Sequence, residues 1–353
     1  MVQNKRWVYK KVPDGVPKAG EDFAVEAEDF NIDQEAPEGG LIVKVLWVSL
    51  DPYLRGSMRP ENTKSYRPAL KAGQVIQNST VSEVLQSNTS KAKKGDLVLV
   101  YTDAAEYSVV QRPFVDTYTF YVVPKDRDDK IKLSYYVGVL GMPGRTAWTG
   151  MYEIGRPKKG ETVWISAAGG PVGSIAGQIA KHEGLKVIGS VGGEEKLKYI
   201  TKDLEFDAGF NYKHEKPADA IKRLAPDGID IYFDNVGGEH LAAAFDAANT
   251  GARFIECGQV SEYSTPIEKR YPLRNLFQIV SKRLRIQGFI IADPGFGDKY
   301  FKEHIETLGK WIADGSFKGR EYIIDGIDGI SQGFLDMLAG KNEGKAVVRV
   351  AKE

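Results

Sequence analysis

A single cysteine, Cys257, occurs among the 353 residues of the chain. No intrachain disulfide can form, and a zinc site built from several thiolates is excluded. Histidine is nearly as scarce. His182, His214, His240 and His304 are the only four, and no two have the i, i+4 spacing of helical ligands, so no resident metal is expected. An excess of one charge is also missing: 48 Lys plus Arg balance 48 Asp plus Glu. No global field then favours nucleic acid or an anionic membrane, and neither is an expected partner. No apolar run approaches the ~20 residues needed to span a bilayer. The opening stretch MVQNKRWVYKKVPDG has no apolar core of the kind a secretory signal carries. These absences lead to the expectation of a soluble cytoplasmic protein whose partners are met at local sites.

What is present divides into two kinds of sequence. A chain of this length exceeds the ~250 residues at which single cores stop growing, so about two domains are expected. Residues 1–130 carry β-rich runs bounded by Gly, Asp and Pro, among them GGLIVKVLWVSLD, GDLVLVYTDAAEYSVV and TFYVVP, the pattern of an irregular β-sheet or barrel. From residue 163 the character changes. The runs TVWISAA, KVIGSV, AGFNY, IDIYFDNV, ARFIECG and LRIQGFII are apolar throughout, and they alternate with amphipathic helices such as VGSIAGQIAKHEG and GEHLAAAFDAA. Strands covered on both faces by crossover helices read this way, so the fold class is α/β with a doubly wound parallel sheet spanning 131–310. The remainder, 311–353, adds a helix and a final strand expected to return to the first domain.

Between the first apolar strand and its helix lies Ala168-x-Gly170-x-x-Gly173, one residue away from the dinucleotide signature. Gly170 is suited to let a pyrophosphate approach the backbone. Gly173 lets the helix pack near the sheet, with Val172 between them, and the helix N-terminus attracts the phosphates. Pro171 removes one candidate amide from this cradle. An NAD site commonly places an acid at the end of the second strand, but here Ser190 stands there and Lys196 follows in IGSVGGEEK. Absence of the anion and presence of a cation favour the extra phosphate of NADP(H).

These residues, together with VSLDPYLRG (48–56), GMPGRTAWTG (141–150), FNYK (210–213), IYFDNVGGEH (231–240), ECGQVSEYS (256–264) and GKNEGKAVV (340–348), resemble the zinc-independent medium-chain dehydrogenases/reductases. Within them the resemblance is to the alkenal/enone double-bond reductases, the leukotriene 12-hydroxydehydrogenase/prostaglandin reductase group. The motifs run in the family's order across nearly the whole chain. The resemblance implies a GroES-like catalytic domain made of the N-terminal part and the C-terminal tail, a Rossmann domain between them, and the cofactor in the cleft. It implies that Lys196 and Tyr212 meet the adenosine phosphate end. It implies too that Pro52, Tyr53, Met142, Thr146, Asn235, Cys257, Phe289 and Asn342 frame the nicotinamide. Tyr53, Tyr66, Tyr263 and Phe289 would line the substrate pocket. A homodimer is implied as well. The sequence departs from the family pattern at Pro171 and at Arg145, a charge directed either to a polar substrate group or to the domain boundary.

The chemistry implied is reduction of an activated carbon–carbon double bond. It needs hydride at the β-carbon, a donor for the enolate oxygen and a proton for the α-carbon. Tyr263 is expected as the donor, since a phenol with its usual pKa near ~10 is protonated at neutral pH. Cys257, with no basic neighbour in sequence, reads as a packing residue beside the nicotinamide. Quinone reduction on the same fold and non-catalytic NADPH binding are the alternatives.

Overall fold

The chain forms fifteen strands among its described residues. The computed structural model describes residues 1–352 and orders the first seven as β1 (Val2–Tyr9), β2 (Phe23–Phe30), β3 (Leu41–Ser49), β4 (Gln77–Ser87), β5 (Leu97–Asp103), β6 (Tyr107–Val110) and β7 (Tyr121–Val122). Six more follow: β8 (Thr162–Ile165), β9 (Lys186–Val191), β10 (Ala208–Asn211), β11 (Ile229–Asp234), β12 (Ala248–Glu256) and β13 (Arg285–Gly288). The last two are β14 (Glu321–Asp325) and β15 (Lys345–Arg349). They fall into two units, one made of Met1–Gly141 with the chain from Glu321 onward, the other of Met142–Arg320.

In the first unit β3 is the organising strand. It is apolar on both faces and buried along most of its length because β15, β4 and β6 all pair with it. The tail returns as expected: β15 runs antiparallel to β3 with Val347 opposite Ser49, and β14 lies parallel beside β15. Three aromatic rings tie the tail to the start of the chain. Trp7 from β1, Phe23 from β2 and Phe334 from the helix Ile330–Leu338 meet edge to face with centroids 5.4–5.7 Å apart, the geometry that aromatic quadrupoles favour. The β1–β2 hairpin and β14 go beyond what the apolar runs suggested.

The second unit is a six-stranded sheet, every pair parallel, in the order β10-β9-β8-β11-β12-β13. Counted from its first strand this is 3-2-1-4-5-6, the doubly wound order, which reverses between β8 and β11. Ligands of such sheets gather beyond the strand C-termini at that reversal. Val163, Trp164 and Ile165 of β8 and Ile231, Tyr232 and Phe233 of β11 are fully buried, as strands covered by helices on both faces must be.

The units change over about ten residues later than 130 and 310. The turn Leu133–Val137 packs on β3 and β4, so it stays with the first unit. The helix Phe301–Asp314 packs on the helix Met142–Thr149, so it stays with the second. In both cases apolar burial, not the composition of the connecting chain, sets the border. No helix among the described residues is long and apolar enough to cross a membrane.

Candidate cofactor and catalytic site

The glycine turn joins β8 to the helix Pro171–His182, with Gly170 as N-cap and Pro171 in the first helical position. A proline there costs little, since the first helical N–H has no intrahelical acceptor in any case. The reason for Gly173 is visible as a close approach: a Cβ on it would lie 2.6 Å from the Ala167 carbonyl oxygen and 2.8 Å from Ala168 Cα. Only glycine lets the helix start this near the strand end, where its free amides converge. At Gly170 a Cβ would lie 3.2 Å from the same carbonyl oxygen. Val172 sits half-buried between the two. One turn along, Gly177 has a requirement that sequence reading did not single out. A Cβ there would fall 1.8 Å from Phe206 Cζ, so the ring of a residue outside the motif fills the place of the side chain.

Lys196 lies over this turn. The space a Cβ of Gly169 would take is bounded by Lys196 Cβ, Cγ and Cδ at 3.2–3.4 Å, so the lysine stem runs along the turn that carries the phosphate signature. Tyr212 approaches from β10, and its hydroxyl would stand 2.6 Å from a Cβ on Gly192. The ring meets His240 edge to face at 5.2 Å. Gly169 thus leaves room for the Lys196 stem, and Gly192, at the end of β9, leaves room for the Tyr212 hydroxyl. Ser190 does not join them. It is fully buried, its hydroxyl accepts from Trp164 Nε1 at 3.2 Å, and its carbonyl oxygen accepts from Ala168 N at 3.0 Å. It serves as a brace between β8 and β9, because the strand points that side chain into the core and leaves the half-buried turn beyond it to Gly192 and Gly193.

At the reversal of strand order the ends of β8, β11 and β12 are stitched together. Ser166 Oγ donates to Asp234 Oδ1 at 3.0 Å and accepts from Asn235 N at 2.8 Å, while Asn235 Nδ2 donates to the Ser166 carbonyl at 2.8 Å. Cys257 N and Gly258 N both donate to the Asp234 carbonyl, at 3.0 and 3.1 Å. Tyr263 closes the group: its hydroxyl would stand 2.9 Å from a Cβ on Gly258, which holds the phenol against the Cys257–Gly258 backbone. Asn235, distant in sequence, is thus a neighbour of Cys257 and Tyr263. Ser166 is the residue that sequence reading missed, although its place at the end of a buried strand was a signal. The Cys257 side chain is only partly covered, yet enclosure of its sulfur and the nearby Asp234 and Glu256 carboxyls push the thiol up to about 12. It stays a thiol at neutral pH, without the low pKa of a nucleophile.

Met142 and Thr146 occupy successive turns of the helix Met142–Thr149, where Thr146 Oγ1 donates to the Met142 carbonyl at 2.8 Å. Arg145 on that helix is only 6% exposed, with its guanidinium 5.6 Å from the centroid of the Phe301 ring. This cation–π stack directs the charge toward a ring of its own unit. Phe289 follows β13 and stacks on Phe296 at 6.0 Å.

The first unit contributes its own polar group. Tyr53 opens the short helix Tyr53–Ser57, with Pro52 as its N-cap. The Tyr53 hydroxyl donates to Asn78 Oδ1, and Asn78 Nδ2 donates to Asp51 Oδ2 at 3.0 Å and to the Ser49 carbonyl at 2.6 Å. Lys345 completes the network from β15. Its ammonium is 3.1 Å from Asp51 Oδ1, with both side chains about 5% exposed. Burial and the Asp51 charge hold the Tyr53 hydroxyl well above the usual phenol pKa, so it stays protonated. The Arg67 guanidinium lies 4.4 Å over the Tyr53 ring. Asn342, nearly buried, donates from Nδ2 to the Gly344 carbonyl at 2.7 Å and sets the turn before Lys345. Tyr66 remains 59% exposed. Among the described residues no group of three or more His, Cys, Asp or Glu converges as a metal ion would require.

Residues 5–117 match the family described as N-terminal domain of oxidoreductase, and residues 171–310 match the one described as zinc-binding dehydrogenase. The chain is 44% identical over 351 residues to the NADP-dependent oxidoreductase RED1 of Cochliobolus heterostrophus, covering 99% of each chain. It is 38% identical to the NADP(+)-dependent 2-alkenal reductase of Nicotiana tabacum, covering 100% of this chain and 99% of the relative. The crystal structure of CurA from Vibrio vulnificus in complex with NADPH matches with a TM-score of 0.87 at 34% identity, covering 99% of this chain and 100% of that one. With a doubly wound unit inserted into a β-rich one and relatives matched from end to end, the chain belongs to the medium-chain dehydrogenase/reductase family of oxidoreductases.

Proposed function

We propose that the protein is a zinc-independent, NADP(H)-dependent reductase of the carbon–carbon double bond of α,β-unsaturated aldehydes and ketones. The observation that carries this reading is the placement of the Tyr263 hydroxyl against the Cys257–Gly258 strand end, beside the reversal point of a doubly wound sheet. The resemblance to a 2-alkenal reductase along the full chain supports it. NADP(H), when bound, supplies the hydride. Gly170, Val172 and Gly173 are the residues that would hold its pyrophosphate, Lys196 and Tyr212 the adenosine phosphate end, and Asn235, Met142, Thr146, Phe289, Pro52, Tyr53 and Asn342 the nicotinamide end.

The chain's own part is orientation and charge stabilisation. Tyr263 donates a hydrogen bond to the carbonyl oxygen, where negative charge grows as the β-carbon is reduced. The hydrogen bond strengthens as the enolate forms, which lowers the barrier. No thiolate and no metal enter this scheme. Cytoplasmic residence and a homodimer belong to the same reading. For the dimer the support is β13, the last strand of the sheet, all four of whose residues are exposed, with Phe277 and Val280 exposed on the helix that leads into it.

The test is NADPH oxidation with a panel of alkenals, enones and quinones, with the products identified. A saturated carbonyl product is expected, and Tyr263→Phe should lower kcat about 10²- to 10³-fold, the usual cost of one oxyanion donor, while NADPH affinity stays the same. Turnover of quinones alone, or full activity in the phenylalanine variant, would overturn the assignment.

A further inference from the structure

Two carboxyls lie at the strand ends just described, Asp234 fully buried and Glu256 partly buried, and the scheme above uses neither. Asp234 ends β11 and Glu256 ends β12, and the two are direct partners in the parallel register, so their side chains leave the sheet on the same face. Asp234 is fully buried. Its Oδ1 is saturated with donors: Ser166 Oγ at 3.0 Å, and the Tyr232 hydroxyl, Val236 N and Gly237 N each at 2.9 Å. Its Oδ2 is buried with no partner, and the same is true of Glu256 Oε1. Two acceptor-only oxygens buried side by side are unfavourable unless a proton lies between them. The surroundings supply no compensating cation for Glu256: burial and Asp234 alone act on it, and both raise its pKa. Asp234 is raised too, chiefly by burial. The other titratable groups acting on the pair are Tyr232 and Cys257, both held protonated beyond neutral pH.

We propose that Asp234 and Glu256 share one proton, and that this proton positions the Asn235–Gly237 turn and the Cys257–Gly258 strand end for the nicotinamide. Asp234 is the clamp on both segments: its side chain holds the 236 and 237 amides, and its carbonyl holds the 257 and 258 amides. With the proton in place the two strand ends are drawn together by a carboxyl–carboxylate hydrogen bond, a strong, charge-assisted contact. Loss of the proton leaves two adjacent anions shielded from water on the sheet face, which push β11 and β12 apart at the clamp. Both residues are positioning residues, and cofactor affinity becomes pH-sensitive through them.

The sign follows from linkage. A carboxyl whose folded pKa is raised binds more proton folded than unfolded, so the stability it contributes is present at low pH and is lost as pH rises through the raised value. Glu256→Gln keeps a donor to Asp234 Oδ2 but cannot titrate, and Asp234→Asn does the same from the other side, keeping an acceptor for the four donors. The role at the nicotinamide rests on the cofactor reading above, whereas the shared proton does not, so the cofactor-free protein is measured first. Wild type should show a protonated-carboxyl infrared band at neutral pH that Glu256→Gln removes, and its Tm should fall relative to that variant as pH rises. NADPH affinity, measured by titration, should then weaken about tenfold more in wild type than in Glu256→Gln between about pH 6 and about pH 9, the factor that corresponds to one pKa unit. Taking the difference between proteins cancels titration of the ligand phosphate. Absence of the band overturns the shared proton even if NADPH binds well. Its presence with parallel affinity profiles overturns the positioning role, and Glu256→Gln decides the matter alone if Asp234→Asn fails to fold.

Discussion

Lys196 shows how a side chain acquires meaning from the backbone beneath it. A lysine in the first turns of a helix is ordinarily a solvated charge. Here its stem lies along Gly169, in the turn that would hold the pyrophosphate in the proposed site. Replacing it by alanine removes one charge-assisted contact, of the order of 1.5–3 kcal/mol. Lys196→Ala should therefore weaken NADPH binding roughly ten- to a hundredfold and change NADH binding less than about twofold. Equal losses for both nucleotides in a binding titration would refute the phosphate role. The same scale sets the orientation of two further side chains. Ser190 faces the core as a brace to Trp164, and Arg145 stacks on Phe301. Which way a strand or helix turns a residue decided both.

At the scale of the element, the helix Pro171–His182 is governed by what it must approach. Two of its glycines are demanded by contacts at opposite ends of its packing surface: Gly173 by the Ala167–Ala168 backbone and Gly177 by the Phe206 ring. Glycine in a helix interior costs about 1 kcal/mol relative to alanine, so a Gly177→Ala variant gains that amount from propensity alone. Against it stands insertion of a methyl group 1.8 Å from a carbon of a ring that is 4% exposed. Overpacking of this sort typically costs about 1–3 kcal/mol, and so deep an overlap with so fixed a ring belongs at the upper end. Gly177→Ala should thus be less stable than wild type by about 1–2 kcal/mol, read as a lower urea midpoint with an unchanged slope. A more stable variant would show that Phe206 yields. The strand–turn–helix element itself was legible in the sequence because apolar periodicity and the glycine spacing are local. Phe206 was not, since it enters from beyond the following strand.

For the whole molecule, the tail is the instructive part. Its helix and strand could be read from residues 321–349, but their destination was set by Phe334 meeting Trp7 and Phe23 and by β15 pairing with β3. At the far edge of the doubly wound sheet β13 has no strand beyond it, and an open edge with apolar neighbours is a template for pairing with another chain. Phe277 and Val280 are 75% and 67% exposed. The proposed homodimer would cover them, so Phe277→Lys combined with Val280→Lys should shift the protein from dimer to monomer in light scattering while the circular dichroism of the fold persists. A wild-type mass of one chain would sink the dimer.

What the sequence by itself determined is everything that repeats or acts locally: the βαβ alternation, the glycine turn with Lys196 in place of an acid, the balance of charge and the scarcity of metal ligands. Alternation and turn chemistry are written in neighbouring residues because backbone geometry imposes periods of a few residues. Only the tertiary structure decided the partnerships across long stretches of chain. Lys345 pairs with Asp51 nearly three hundred residues away, Ser166 joins Asp234 and Asn235, and Asp234 is set in register with Glu256. None of these has a spacing rule, because burial and parallel register bring together groups that the chain itself keeps apart. Each consists of polar groups shut away from water, whose need for a partner is met only once the fold has chosen their neighbours.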